Sequence, residues 1–150
     1  MRIAVIGAGA WGTTMAIHLA RKGFETTLWA FEKDLAPQME AARENATYLP
    51  SHRFPPTLHV TADPIDDGGL DFLVNAVPTQ FMRGVYAGLA AHLPAVPMVS
   101  LSKGIEIGTG RLPTQIYREV CGRDRPTAAL TGPCIAREVA RGLPTAVVVA

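Results

Sequence analysis

With 150 residues, 48% of them hydrophobic, the chain has the size and apolar content of one globular domain that can bury a real core. Fourteen basic and 13 acidic residues leave a net charge of +1, which gives no electrostatic footprint for nucleic acid or an anionic membrane surface. Two cysteines, Cys121 and Cys134, have neither the spacing of a metal site nor the density of a disulfide scaffold, so free thiols in a reducing cytoplasm are expected.

After Met1 and Arg2 comes an apolar run at 3–6, too short for a signal-peptide core or a membrane span and readable as a strand. Gly7-Ala8-Gly9-Ala10-Trp11-Gly12 follows it directly. Residues 11–22 then place Met15, Ala16 and Leu19 at helical spacing and end on Lys22-Gly23, a cation and a helix-stopping glycine. Next come a strand at 26–29, a helix at 35–43, a proline-punctuated loop from Tyr48-Leu49-Pro50 to Pro55-Pro56, and a strand at 58–60. Asp66-Asp67 beside Gly68-Gly69 and Asp71 reads as a turn, because a calcium loop needs a longer ligand series. Strands at 72–77, 98–101, 127–130 and 146–149 complete the pattern, with helices at 81–92 and 112–120 between them.

The strands lack the in/out polar alternation of a half-exposed sheet, and they alternate with helices. This predicts an α/β domain, a doubly wound, mostly parallel sheet with helices on both faces, of the Rossmann-like kind. The run at 146–149 ends the sequence, whereas a chain end normally lies at a surface. A further domain covering that edge is therefore expected, and the edge is association-prone without it.

The glycine motif lies between a strand and a helix, the context that makes GxGxxG informative. Gly7 suits the tight turn, Gly9 leaves room for a pyrophosphate, Gly12 lets helix and strand approach, and the helix N-terminus offers amides to phosphate. The second strand runs into Phe31-Glu32, about 20 residues past the third glycine, where a carboxylate accepts hydrogen bonds from the ribose hydroxyls of NAD. A 2′-phosphate would call for an arginine there and only Lys33 is at hand, so NAD is favoured, with NADP as the alternative. Phe31 is placed to stack on adenine or simply to end a strand. Lys103 follows the fifth strand and so falls at the carboxyl edge of the sheet, where ligands bind in open α/β folds.

Gly7-Ala8-Gly9-Ala10-Trp11-Gly12-Thr13, Asn45 with Tyr48-Leu49-Pro50, Ala76-Val77-Pro78, Ser102-Lys103-Gly104-Ile105-Glu106, and Gly132-Pro133 to Ala136 with Glu138 occur in this order along the whole chain. Together they resemble the N-terminal domain of the NAD(P)-dependent glycerol-3-phosphate dehydrogenases. The resemblance implies hydride transfer between nicotinamide and C2 of glycerol 3-phosphate, with dihydroxyacetone phosphate as the oxidised partner, in supply of a phospholipid precursor. It implies that Lys103 contacts both substrate and cofactor, that Gly132 and Cys134 meet the substrate, and that Ala136, Tyr48, Pro78 and Phe81 border the dinucleotide with Ala10 and Trp11. A helical C-terminal domain, bringing a further catalytic lysine, would complete the pocket; this chain by itself is then expected to bind cofactor weakly and turn over negligibly. A homodimer is one assembly open to such a protein. Cys134 stands where the family usually has serine or threonine, and Phe31 where many bacterial members carry a basic residue.

Two other readings remain at this stage. One is another two-domain dehydrogenase, such as one acting on 6-phosphogluconate or ketopantoate; the other is a nucleotide-binding module without chemistry. His18, His52, His59 and His92 are scattered and lack metal-ligand spacing, so no metal is expected.

Overall fold

The computed structural model describes residues 1–65, 69–122 and 124–150. Strands β1 (Arg2–Ile6), β2 (Glu25–Trp29), β5 (Leu58–Thr61), β6 (Phe72–Asn75), β7 (Met98–Ser100), β8 (Thr127–Thr131) and β9 (Val148–Val149) form one sheet in the order β5-β2-β1-β6-β7-β8-β9. All neighbours are parallel except β8 and β9. The chain leaves β1 toward β2 and β5, then crosses back to β6 on the other side. That reversal opens a crevice beyond the carboxyl ends of β1 and β6, the switch point at which such sheets take ligands.

Alternate residues of β1 show why both faces are covered. Ile3 and Val5 join one core with Ala16 and Ile17 of α1 (Ala10–Arg21) and Met39 of α2 (Leu35–Ala42). Ala4 and Ile6 join the other, with Met82 and Tyr86 of α3 (Thr79–Leu89) and Ile116 and Tyr117 of α4 (Pro113–Cys121). The tyrosine rings meet edge-on at 5.1 Å, and the Tyr86 hydroxyl, fully buried, is satisfied by Asn75 Oδ1 at 3.1 Å. Burial pushes the Tyr86 phenol well above its ordinary pKa, so it stays a neutral donor. The helix at 11–22 forms one residue earlier than expected and stops at Gly23, whose φ of 88° and N–H bond to Ala20 O at 3.0 Å make the left-handed ending.

Several expectations need correction. The proline-rich segment is not all loop: β4 (Leu49–Arg53) pairs antiparallel with β3 (Glu44–Asn45), and Pro50 is accommodated because this is a two-stranded ribbon with open edges. Arg43 ends α2 at φ 52°, held by bonds to Glu40 and to the carbonyls of Pro55 and Leu58. The strand foreseen at 72–77 stops at Asn75, and the helix foreseen from Phe81 starts at Thr79. A five-residue helix, α5 (Ala136–Ala140), was not foreseen. Nor is the run at 146–149 a buried parallel strand: β9 is a two-residue, exposed, antiparallel edge. The turn expected around Asp66 and Asp67 lies outside the described residues, save that Gly69 is a left-handed turn residue. His18, His59 and His92 are exposed, and the His52 ring bonds Pro50 O. Among the described residues no helix is long and apolar enough to cross a membrane, and no cluster of His, Cys, Asp and Glu is suited to a metal. Cys121 and Cys134 are free thiols, and burial pushes the Cys121 thiol up to about 11.

Candidate active site

The glycine turn is built by three different constraints. Gly7 has φ 107°, and a Cβ there would press on the Ala76 carbonyl at 3.0 Å, so β1 hands over to α1 tight against the end of β6. A Cβ on Gly12 would run into the carbonyl oxygen of Gly7, so the helix can approach the turn only with glycine. At Gly9 the constraint is reversed: nothing lies within 4 Å of where its Cβ would be, and no side chain caps the helix that starts there. The first turn of α1, with no acidic residue, therefore presents free amides and the positive dipole end to an open cradle. This cradle fits the pyrophosphate of a dinucleotide.

Asn45 fixes the turn from behind. Its buried amide donates to Ala8 O and to Thr13 Oγ1, both at 2.8 Å, while its Oδ1 accepts from Tyr48 N at 3.0 Å. One side chain thus ties the glycine turn to the ribbon, which in turn delivers Tyr48 beside Glu32. The Tyr48 hydroxyl reaches Glu32 Oε1 at 3.5 Å, and Phe31 stands 68% exposed next to them, its ring 6.3 Å from that of Trp29. An exposed carboxylate and an exposed aromatic ring past the end of β2 fit ribose and adenine.

On the other side of the switch point, Asn75 organises the ends of β6 and β7. Its Nδ2 donates to Ser100 Oγ at 2.9 Å and Ser102 Oγ at 2.7 Å, and Ser102 Oγ donates to Val77 O. Lys103 then projects toward β8, where its Nζ reaches Gly132 O at 3.5 Å. A cleft of about 310 Å³ is lined there by Ala10, Trp11, Lys103, Gly132, Cys134 and Ala136, with Leu101, Leu130 and Thr131 as its remaining wall. Cys134 Sγ accepts from Thr145 Oγ1 at 3.3 Å and donates to Ala146 O at 3.7 Å.

The structure thus brings together in one cleft six of the residues picked from sequence. Phe31, Glu32 and Tyr48 lie apart from it beyond β2. Exposed Pro78 and Phe81 lie at the start of α3 and do not line the cleft. The two buried asparagines are the residues that motifs leave without a role: Asn45 is one letter of a family pattern, and Asn75 looks like one more strand residue.

The Lys103 loop has its own anchor. Glu106, 7% exposed, takes two hydrogen bonds from Arg83 Nε and Nη2, and Arg83 also pairs with Glu119, which pairs with Arg111. The Arg83 guanidinium, then the Thr109 hydroxyl, hold the Glu106 carboxyl below the usual carboxylate range, against an opposing effect of desolvation. A carboxyl with a lowered folded-state pKa stabilises the native form above its unfolded pKa and loses that contribution as pH falls through the folded value. We expect thermal unfolding of Glu106→Gln to be less sensitive to pH than the parent below about pH 4 and the variant to be the less stable of the two at neutral pH, as calorimetry at several pH values would show.

Compared with known sequences, residues 2–150 match the family described as NAD-dependent glycerol-3-phosphate dehydrogenase N-terminus. The chain belongs to this family. It is 47% identical over 154 aligned positions to a glycerol-3-phosphate dehydrogenase [NAD(P)+] of Geobacter sulfurreducens, covering 99% of this chain and 46% of that protein. The crystal structure of a glycerol-3-phosphate dehydrogenase from Coxiella burnetii superimposes with a TM-score of 0.90 at 35% identity, over 99% of this chain and 46% of that one. A ketopantoate reductase-family structure from Ralstonia eutropha, 22% identical with a TM-score of 0.66 over 90% of this chain and 42% of its own, shares the fold. The chain therefore spans about half the length of the curated relatives it matches. As a member of the glycerol-3-phosphate dehydrogenase family it is a nicotinamide-dinucleotide-binding domain with a Rossmann-like fold.

Proposed function

We propose that this domain holds NAD across the switch point, with NADP as the weaker alternative, and that the protein it belongs to interconverts glycerol 3-phosphate and dihydroxyacetone phosphate in the cytoplasm. The observation that carries this reading is the single cleft in which Lys103, Gly132 and Cys134 adjoin Ala10, Trp11 and Ala136 at the mouth of the glycine turn. The nicotinamide, when bound, supplies or accepts the hydride at C2.

The chain's own residues do the rest. The open cradle at Gly9 and the α1 amides take the pyrophosphate, Glu32 accepts from the ribose hydroxyls, and Phe31 and Tyr48 flank the adenosine end. Ala136 borders the dinucleotide where α5 meets α1, a junction held by Thr14 Oγ1 donating to Ala136 O at 3.2 Å. Pro78 and Phe81 border the nicotinamide from the other side, where α3 begins. The Lys103 ammonium, free to move from a 3.5 Å contact with Gly132 O, donates to a substrate oxygen and stabilises negative charge that develops there in the transition state. Gly132 and Cys134 contact the substrate from the segment that follows β8. The proton for the C2 oxygen is assigned to the lysine of the companion helical domain. The chain alone accordingly binds NADH but shows no measurable turnover, and dimerisation belongs to the whole protein.

The test is a chimera in which this chain replaces the matching half of the Geobacter relative. It should oxidise NADH in the presence of dihydroxyacetone phosphate, and Lys103→Met should lower kcat/KM by roughly a hundredfold or more, on the order of 3 kcal/mol of transition-state stabilisation. A folded chimera that binds NADH yet leaves dihydroxyacetone phosphate untouched would refute the substrate assignment.

A further inference from the structure

Lys103 sits on a segment with little regular structure, residues 101–112, that contains left-handed glycines at 104, 108 and 110. Such a segment has no intrinsic reason to hold a side chain at one place. Here, however, the first turn of α3 grips it at successive points. Thr79 Oγ1 donates to Lys103 O at 2.7 Å. The Gln80 amide makes two bonds, donating from Nε2 to Ile105 O at 2.7 Å and accepting at Oε1 from Ile107 N at 2.9 Å. One turn further on, Arg83 binds both oxygens of the Glu106 carboxylate. The loop also closes on itself through Glu106 N to Arg111 O at 2.8 Å and Gly110 N to Glu106 O at 2.9 Å.

We propose that Gln80 and Arg83 are positioning residues for Lys103: by fixing residues 105–107 to α3 they set where the Lys103 ammonium stands in the cleft, without touching dinucleotide or substrate. This rests on the reading of Lys103 as the substrate contact. Two features favour positioning over plain stabilisation. The Gln80 side chain is exposed and its amide pairs with loop backbone on both its donor and acceptor sides, a pairing that orients the loop more than it buries surface. The same helix turn carries Pro78 and Phe81, so one rigid element references both the nicotinamide side and the lysine side of the cleft.

The chain has three lysines, Lys22, Lys33 and Lys103, so 13C-dimethylation gives few signals and Lys103→Met assigns the relevant one. In Gln80→Ala and Arg83→Met the Lys103 signal of the free chain should move, and in the chimera with the matching half of the Geobacter relative the KM for dihydroxyacetone phosphate should rise about tenfold. NADH affinity should stay within about twofold of the parent. Unchanged Lys103 signals in both variants overturn the proposal, as does a loss of NADH affinity equal to the loss for the phosphoester, which would mean general loosening. If the variants move the Lys103 signal while the parent chimera leaves dihydroxyacetone phosphate untouched, the positioning stands and the substrate reading falls. Gln80→Ala removes only an exposed side chain, so the test survives should Arg83→Met fail to fold.

Discussion

Gly9→Asp should abolish dinucleotide binding while leaving the domain as stable as before, and Gly12→Ala should do the opposite first, unfolding the domain. The two glycines share a motif yet face different surroundings. Gly9 is the N-cap of α1 at φ −68°, a conformation any residue adopts, with empty space where its Cβ would go. Aspartate is a favoured N-cap and glycine a tolerated one, so the substitution is neutral or stabilises by about a few tenths of a kcal/mol. The new carboxylate, however, takes up the amides that the pyrophosphate needs and repels it; two unit charges near 4 Å at a surface interact by roughly 4 kcal/mol. NADH affinity should fall by about a hundredfold or more, some 2.7 kcal/mol. At Gly12 the added methyl meets the Gly7 carbonyl, which is backbone and cannot swing away. Overpacking of this kind costs about 3 kcal/mol or more, because the helix must lift from the sheet. Chemical denaturation paired with NADH titration of both variants separates these outcomes. Equal loss of stability in the two would show that the space at Gly9 is structural and not a ligand's.

Asn45→Ala should be the most damaging single change away from the glycines, lowering stability by about 2–4 kcal/mol and NADH affinity by roughly tenfold. The side chain is fully buried and makes three bonds, so its loss leaves a cavity, strips the Tyr48 N–H of its side-chain partner and leaves the Ala8 carbonyl only the longer bond from Thr13 Oγ1 at 3.3 Å. Ala8 lies inside the phosphate turn and Tyr48 beside Glu32, which is why a stability change is felt at both ends of the dinucleotide site. Gln38→Ala serves as control: its one bond, to Asp34 O on an exposed helix face, predicts a change within about 0.5 kcal/mol. Urea unfolding of the two variants checks the contrast, and an Asn45 variant as mild as the Gln38 one would remove the clamp from the account.

The difference between what these residues do and how they look in the sequence explains what could be read in advance. Gly7, Gly9 and Gly12 are legible because strand, turn and helix are local, and spacing alone puts Glu32 just past the end of β2, where it is proposed to meet the ribose. The strands β1, β2, β5, β6, β7 and β8, and the helices on both faces of a parallel sheet, follow from apolar runs that alternate with helical periodicity. Asn45 is different, since its partners Ala8 and Thr13 are more than 30 positions away and only the folded chain brings them together. The same holds for Asn75, whose neighbours in the sequence are strand-like while its bonds run to β7 and α3. The β3–β4 ribbon was hidden by Pro50, Pro55 and Pro56, which signal turns locally but sit harmlessly at its edge and end. Five-residue α5 carries too little periodicity to be seen, and it forms because α1 packs against it, with Arg21 Nη1 donating to Ala140 O at 2.8 Å. Exposed β9 looks buried in the sequence because its residues are apolar, although Val148 and Val149 are 65% and 59% exposed.

The cleft adjoining Trp11 provides the most direct test of the central claim, that the turn and Glu32 form a working nicotinamide-dinucleotide site. Trp11 lines it and Trp29 neighbours Phe31 at the proposed adenosine end, so quenching of indole fluorescence reports on the site. Titration of the chain with NADH and NADPH, repeated by calorimetry, should give one site per chain, with NADH bound about tenfold more tightly, some 1.4 kcal/mol. Tighter binding of NADPH would remove Glu32 as the ribose ligand, and no binding of either nucleotide would contradict the site altogether.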